Sequence, residues 1–269
     1  MPDSKIIRAE RLSKKFGQLE AVKEISFEVA AGEVFAFLGP NGAGKTTTIK
    51  MLTTLLRPSS GKLEIDGLDP AVHPHQVRKR FGIVFQDPSL DDELTAYENM
   101  DFHGLLYNVP GKARAEGIER LLKLFELWDR RHDRVKNFSG GMRRRLEIAR
   151  GLLHTPKILF LDEPTLGLDP QTRNQLWTHV LALNRTDKVT VFLTTHYMEE
   201  AERVAQRIAI IDHGRIVAQG SPQQLKQQTG TSSLEQAFLA LTGTSIREEE
   251  ASTVEQMRTI ARMWARRRP

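Results

Sequence analysis

Apolar positions along the chain fall into two periods, and the boundary between them divides the sequence. Ile6-Ile7-Arg8-Ala9-Glu10 and Ile25-Ser26-Phe27-Glu28-Val29 read as short strands on either side of the turn Phe16-Gly17-Gln18, which predicts a small antiparallel sheet. Val34-Phe35-Ala36-Phe37-Leu38 is a continuous apolar run, as a strand buried on both faces requires. Lys62-Leu63-Glu64-Ile65 alternates between the turns Arg57 to Gly61 and Asp66-Gly67, and Gly82-Ile83-Val84-Phe85 reads as a buried strand. From Asp87 to about Leu153 the period becomes helical: Leu121, Leu122, Phe125 and Leu127 share one spacing, and Met142, Leu146, Ala149 and Leu153 recur at i, i+4, i+7 and i+11. Strands return at Ile158 to Leu161, Thr190 to Thr194 and Ile208 to Ile211. Apolar runs alternating with helical segments predict an α/β core with a mostly parallel, doubly covered sheet and a helical subdomain inserted at about 87–153. The main domain is expected over 1–222, and beyond Gly220-Ser221-Pro222 a short helical C-terminal extension over 223–269. There Leu234, Ala237, Phe238 and Leu241 form one stripe. Val254, Met257, Ile260 and Trp264 form a weaker one between Glu248-Glu249-Glu250 and Arg266-Arg267-Arg268.

The chemistry is concentrated at Gly39-Pro40-Asn41-Gly42-Ala43-Gly44-Lys45-Thr46-Thr47, a complete G-x-x-x-x-G-K-[ST] phosphate loop between the run at Val34 to Leu38 and a helical segment. Its glycines let successive N–H groups turn inward on phosphate oxygens, and the helix that follows adds its positive end. Lys45 is expected to reach the β- and γ-phosphates, and the Thr46 hydroxyl to hold Mg²⁺. A bare glycine turn would not require Gly-Lys-Thr at this point. Ile158-Leu159-Phe160-Leu161 ends in Asp162-Glu163, which puts two carboxylates at the C-terminal end of a strand, where α/β sheets bind ligands. Asp162 would contact Mg²⁺, and Glu163 would polarise the attacking water as general base. Ser139-Gly140-Gly141 opens a helix with a natural N-cap and room for phosphate at the free N–H groups. One chain has no use for two such helix ends on one nucleotide, so this second end is expected to serve a nucleotide bound by another subunit.

Composition narrows the picture further. The chain has 269 residues, 39% hydrophobic and 27% charged, enough for one large domain with an appendage. No apolar run approaches the roughly 20 residues that cross a bilayer, and Met1-Pro2-Asp3-Ser4 does not read as a secretory signal. The expected location is therefore cytoplasmic, or peripheral on the cytoplasmic face of the cell membrane. Without cysteine there is neither disulfide nor thiolate metal site. A net charge of +5 is modest, and Arg143-Arg144-Arg145 would spread around a helix instead of forming a flat phosphate-binding stripe, so nucleic acid is not an expected partner.

Taken in order, the phosphate loop, Gln86, Ser139-Gly140-Gly141, Asp162-Glu163, Asp169 and His196 resemble the ATP-binding subunit of an ABC transporter. Val84 to Leu90, Met142 to Leu146 and Leu234 to Gly243 are similar to its drug-resistance (daunorubicin-type) branch, which works with ABC-2 permeases. The resemblance implies a P-loop NTPase core, with ATP and Mg²⁺ as ligands. Phe16 would stack on adenine, and Gln86 would link Mg²⁺ and the attacking water to the permease-facing surface. Ser139 and Gly141 would bind the γ-phosphate held by the other subunit, Asp169 would run along the dimer seam, and His196 would hydrogen-bond the γ-phosphate. Phe138 and Met142 stand where Leu and Gln are usual. The plain alternatives are a core position for Phe16, a loop position for Gln86, and a cap on the helix from Tyr197 for His196. The implied partners are a second nucleotide-binding subunit, most simply an identical copy, and a separate ABC-2 permease for export of a drug, lipid or polysaccharide. The rival is a soluble ABC ATPase acting on nucleic acid or ribosomes. Its DNA-clamping forms carry long coiled-coil inserts and its translation forms two ATPase domains in one chain, and this sequence shows neither feature.

Overall fold

A computed structural model describes residues 5–243; the stripe at Val254 to Trp264 and the charge runs beside it lie outside the described residues. The central strand is β3 (Val34–Leu38), all five of whose residues are buried. Its alternate side chains serve two cores. Phe35 and Phe37 point to one face, where they meet Phe192 and Phe27 with ring centroids 5.5–5.9 Å apart. Ala36 and Leu38 point to the other and join the helix-side core. A strand that must feed both faces has no polar position to spare, which is why the run is unbroken.

β5 (Phe81–Val84), β6 (Ile158–Asp162), β7 (Thr190–Thr195), β3, β8 (Arg207–Asp212) and β9 (Arg215–Gly220) form a six-stranded sheet in that order. All of its pairs are parallel except β8 with β9. The sheet is α/β and mostly parallel, as expected. Strand β9 was not legible, because it is a short edge strand whose only inward aliphatics are Ile216 and Ala218.

One face of this sheet is covered by β1 (Lys5–Phe16), β2 (Leu19–Ala30) and β4 (Ser60–Ile65), an antiparallel sheet in the order β2-β1-β4, together with α1 (Lys45–Leu52) and α2 (Pro74–Arg78). β1 and β2 run well past the five-residue segments predicted from apolar spacing; their outer halves pair through backbone and carry charge to solvent, as in Lys15 opposite Glu20. The opposite face is covered by α3 (Ala96–Leu106), α4 (Gly111–Leu124), α5 (Gly140–Leu152), α6 (Pro170–Asp187), α7 (Met198–Val204), α8 (Pro222–Thr229) and α9 (Leu234–Thr242). The predicted helical stripes are core: Leu121, Leu122, Phe125 and Leu127 are fully buried, as are Leu234, Ala237 and Phe238 on α9. The three arginines on α5 diverge. Arg143 reaches Asp92, Arg144 is buried against Glu147, and Arg145 donates to Phe125 O and pairs with Glu126.

Candidate active site

The phosphate loop joins β3 to α1. Gly44 caps the helix at φ 107°, and a Cβ there would stand 2.7 Å from Ala21 O, so only glycine can occupy it. The loop and α1 wall a cleft of about 230 Å³, lined by Pro40, Asn41, Gly42, Lys45, Thr46 and Thr47 with Gln86 and Glu163 opposite and Ala21 at the side. The Lys45 ammonium donates to Gly39 O at 2.6 Å and Pro40 O at 3.1 Å and lies 3.2 Å from Glu163 Oε1. Gly39 and Ala43 are buried behind the loop.

Two buried carboxylates form the floor. Asp162 Oδ1 accepts from Thr194 Oγ1 at 2.5 Å and from Thr46 Oγ1 at 3.3 Å. Burial pushes this carboxyl above its ordinary range, against the hydrogen bonds of the two threonines. Glu163 is held in a positive-φ conformation, φ 48°, with its N–H donating to Thr194 Oγ1 at 3.1 Å. Its Oε2 accepts from His196 Nδ1 at 2.9 Å. Burial opposes ionisation of Glu163, but the His196 hydrogen bond and the Lys45 charge outweigh it and hold the carboxyl below the usual range. With Nδ1 directed at Glu163, His196 keeps Nε2 without a hydrogen-bond partner among the described residues. His196 is thus part of the floor and does not cap α7, whose N-cap residue, Tyr197, makes no side-chain capping bond.

Gln86 sits in the loop after β5, and α5 grips that loop. Arg144 donates to Phe85 O at 2.6 Å and Gln86 O at 3.2 Å, and it pairs with Glu147, whose Oε1 accepts from Ser89 N at 2.8 Å. The same helix begins at Ser139, whose Oγ accepts from Met142 N at 3.3 Å. Ser139 and Gly140 are exposed and do not line the cleft. Gly141 is buried; a Cβ there would come within 2.3 Å of Thr172 Cγ2, so this glycine answers to packing on α6 as well as to any ligand. Asp169 is exposed too, as N-cap of α6: the Thr172 hydroxyl, and then the Thr172 and Gln171 N–H groups that Oδ1 accepts, hold its carboxyl low. Phe16 is not in the core. It ends β1, 46% exposed, with the Lys14 ammonium 5.1 Å from its ring, and does not line the cleft.

The structure therefore brings the phosphate loop, Gln86, Asp162, Glu163 and His196 to one place and leaves Phe16, Ser139, Gly140 and Asp169 on exposed surfaces outside the cleft. Sequence reasoning missed Thr194, Arg144 and Glu147. A hydroxyl residue inside a fully buried strand, and an acid three residues after an arginine within an apolar stripe, were the available signals.

Residues 22–166 match the ABC transporter family. The chain belongs to that family. As its ATP-binding, ATP-hydrolysing subunit it resembles the daunorubicin/doxorubicin resistance ATP-binding protein of Streptomyces peucetius, 45% identical over 231 residues, 86% of this chain and 70% of the relative. The Nod factor export ATP-binding protein I of Ralstonia nicotianae is 42% identical over 220 residues, 82% of this chain and 68% of that one. Among solved structures, a dimeric ATP-binding cassette in a post-hydrolysis state with ADP and phosphate superposes with a TM-score of 0.72 at 27% identity, covering 80% of this chain and 98% of the other. The place of this ABC subunit in the drug-resistance branch follows from relatives of the first kind. No helix among the described residues is long and apolar enough to cross a membrane.

Proposed function

We propose that two copies of this ATPase subunit close on two Mg-ATP molecules and drive a separate ABC-2 type permease that exports a drug, lipid or polysaccharide. The observation that carries the two-subunit reading is the position of the Ser139 helix end. It is an exposed helix N-terminus outside the cleft that holds Lys45, Thr46 and Glu163, and such an end suits an anion. The relatives named for drug resistance and for Nod factor export support the direction of transport.

Within each site the loop N–H groups and Lys45 would neutralise phosphate charge. Thr46, Asp162 and Gln86 offer oxygen donors at the cleft, with the Thr46 and Asp162 oxygens 3.3 Å apart. Such a set suits a small, hard cation that shares its coordination with phosphate. Bound there, Mg²⁺ would offset charge on the terminal phosphates. Glu163, kept ionised, would orient water as general base, and His196 would offer Nε2 to the terminal phosphate. Phe16, exposed at the end of β1, would receive adenine. Ser139, Gly140 and Gly141 would close over the second subunit's nucleotide, with Asp169 along the seam.

The test is capture of the tagged full chain from its native membranes in mild detergent, with identification of co-purifying chains. A stoichiometric membrane protein is the expected result. Recovery of ribosomal or DNA-bound proteins without a membrane subunit would overturn the transport reading and leave the ATPase standing.

A further inference from the structure

Glu200 on α7 is a buried carboxylate, 3% exposed, that takes no part in the nucleotide cleft. A carboxylate so placed costs desolvation that an apolar residue would avoid, so its partners carry the explanation. Thr165 Oγ1 donates to Glu200 Oε2 at 2.8 Å, and Arg173 Nε lies 3.2 Å from Oε1, an ion-pair distance without hydrogen-bond alignment. Arg173 in turn donates to Leu168 O at 3.3 Å and lies over the Tyr197 ring at 4.4 Å. Tyr197 packs on the His196 ring at 4.1 Å, and His196 donates to Glu163. The turn from Glu163 to Asp169 is thus tied at Glu163, Thr165 and Leu168 to the segment from His196 to Glu200, directly or through Arg173.

We propose that Glu200 and Arg173 are positioning residues that join the His196 segment and the Glu163–Asp169 turn into one rigid unit. The contact of His196 with the terminal phosphate and the placement of Asp169 toward the second subunit are then set together. The Asp169 half rests on the two-subunit reading above; the His196–Glu163 half needs only the ATPase site of a single chain. Without the clasp, nucleotide would still bind, because the phosphate loop is untouched, but Glu163 and His196 would no longer be held in one geometry when the terminal phosphate is attacked.

The test compares Glu200→Ala, Glu200→Gln, Thr165→Val and Thr165→Ser in the full chain, each checked for folding by circular dichroism, and measures kcat and KM for ATP. Glu200→Ala is expected to lower kcat at least tenfold with KM within about twofold. Thr165→Val should lower kcat in the same direction, and Thr165→Ser, which keeps the hydroxyl, should restore it. Glu200→Gln, which keeps an acceptor for Thr165 and loses the charge facing Arg173, should fall between. If Glu200→Ala does not fold, the Thr165 pair decides by itself. A folded Glu200→Ala with kcat within twofold of the parent, or Thr165→Val and Thr165→Ser behaving alike, overturns the proposal. In a Glu163→Gln background, Glu200→Ala should also weaken ATP-dependent dimerisation about tenfold by gel filtration. Failure of Glu163→Gln alone to dimerise would sink the two-subunit reading, and the kcat comparison would then judge the clasp alone.

Discussion

Thr194→Val isolates one hydroxyl that serves both carboxylates of the site. Thr194 is fully buried on β7, and its Oγ1 donates to Asp162 Oδ1 while accepting the N–H of Glu163. Valine has nearly the same shape, so packing survives and only the hydroxyl is lost. The Glu163 N–H keeps a second acceptor, Thr194 O at 3.2 Å, so its loss is cushioned. Among the described residues Asp162 keeps the side-chain hydrogen bond of Thr46 Oγ1, at 3.3 Å. A hydrogen bond to a charged group contributes about 1.5–3 kcal/mol, so a destabilisation of about 2 kcal/mol is expected. For a domain of this size that lowers Tm by roughly 4–8 °C. Turnover should fall about tenfold or more, since 1.4 kcal/mol of misplacement expressed in the transition state is a factor of ten. Nucleotide affinity should hold, because no phosphate-loop contact changes. The assays are thermal melting, phosphate release and binding of a fluorescent ATP analogue. Thr194→Ser should recover most of both losses. Valine and serine variants that both match the parent in Tm and kcat would refute the argument that this hydroxyl sets the carboxylates.

Glu163→Gln should stop turnover while leaving ATP bound, and normal phosphate release by the purified variant would refute its assignment as general base. Lys45→Ala removes the ammonium that bridges Gly39 O, Pro40 O and Glu163, and it should abolish tight ATP binding, read by the same fluorescent analogue. Stability should also depend on pH through a ring stack distant from the nucleotide. Burial, with the Arg150 charge and His154 adding to it, lowers His103 to about 3. Burial lowers His154 to about 4 against its hydrogen bond to Phe81 O, and the rings of His103, Tyr107 and His154 cluster with centroids 3.9–5.8 Å apart. Both are neutral when folded at pH values where the unfolded chain binds their protons. Their contribution is therefore fully present above about pH 6.5 and is lost as pH falls toward about 4 and then 3, by about 1.4 kcal/mol per pH unit for each ring. Urea melts of His154→Gln should show a shallower loss than the parent between about pH 6.5 and about pH 4.5; equal slopes would refute it.

Most of the candidate site could be proposed from sequence because phosphate chemistry constrains local sequence. Glycines at fixed offsets before Lys45, and carboxylates closing an apolar strand at Asp162-Glu163, announce their role within a few residues. The parallel sheet was legible for a similar reason, since strands covered on both faces must be apolar throughout. What stayed hidden depends on contacts between distant segments. Thr194 gains its role only when β7 lies beside β6, Arg144 only when α5 crosses the loop after β5, and Glu200 only when α7 meets the turn after Glu163. The full lengths of β1 and β2 were hidden differently. Their outer residues pair through backbone groups that every side chain shares, so polarity hid them.

The order of strands in the large sheet bears on how the protein is made. β3 carries the phosphate loop, yet both of its neighbours, β7 at Thr190–Thr195 and β8 at Arg207–Asp212, come late in the chain. On the ribosome the loop emerges before either mate and waits, since its strand has no parallel partner until β7 and β8 have been translated. During that interval the run Val34 to Leu38 is an unpaired, wholly apolar segment, which is the condition that draws chaperones and invites mispairing. Nucleotide binding is therefore expected only after the distal strands close on either side of β3.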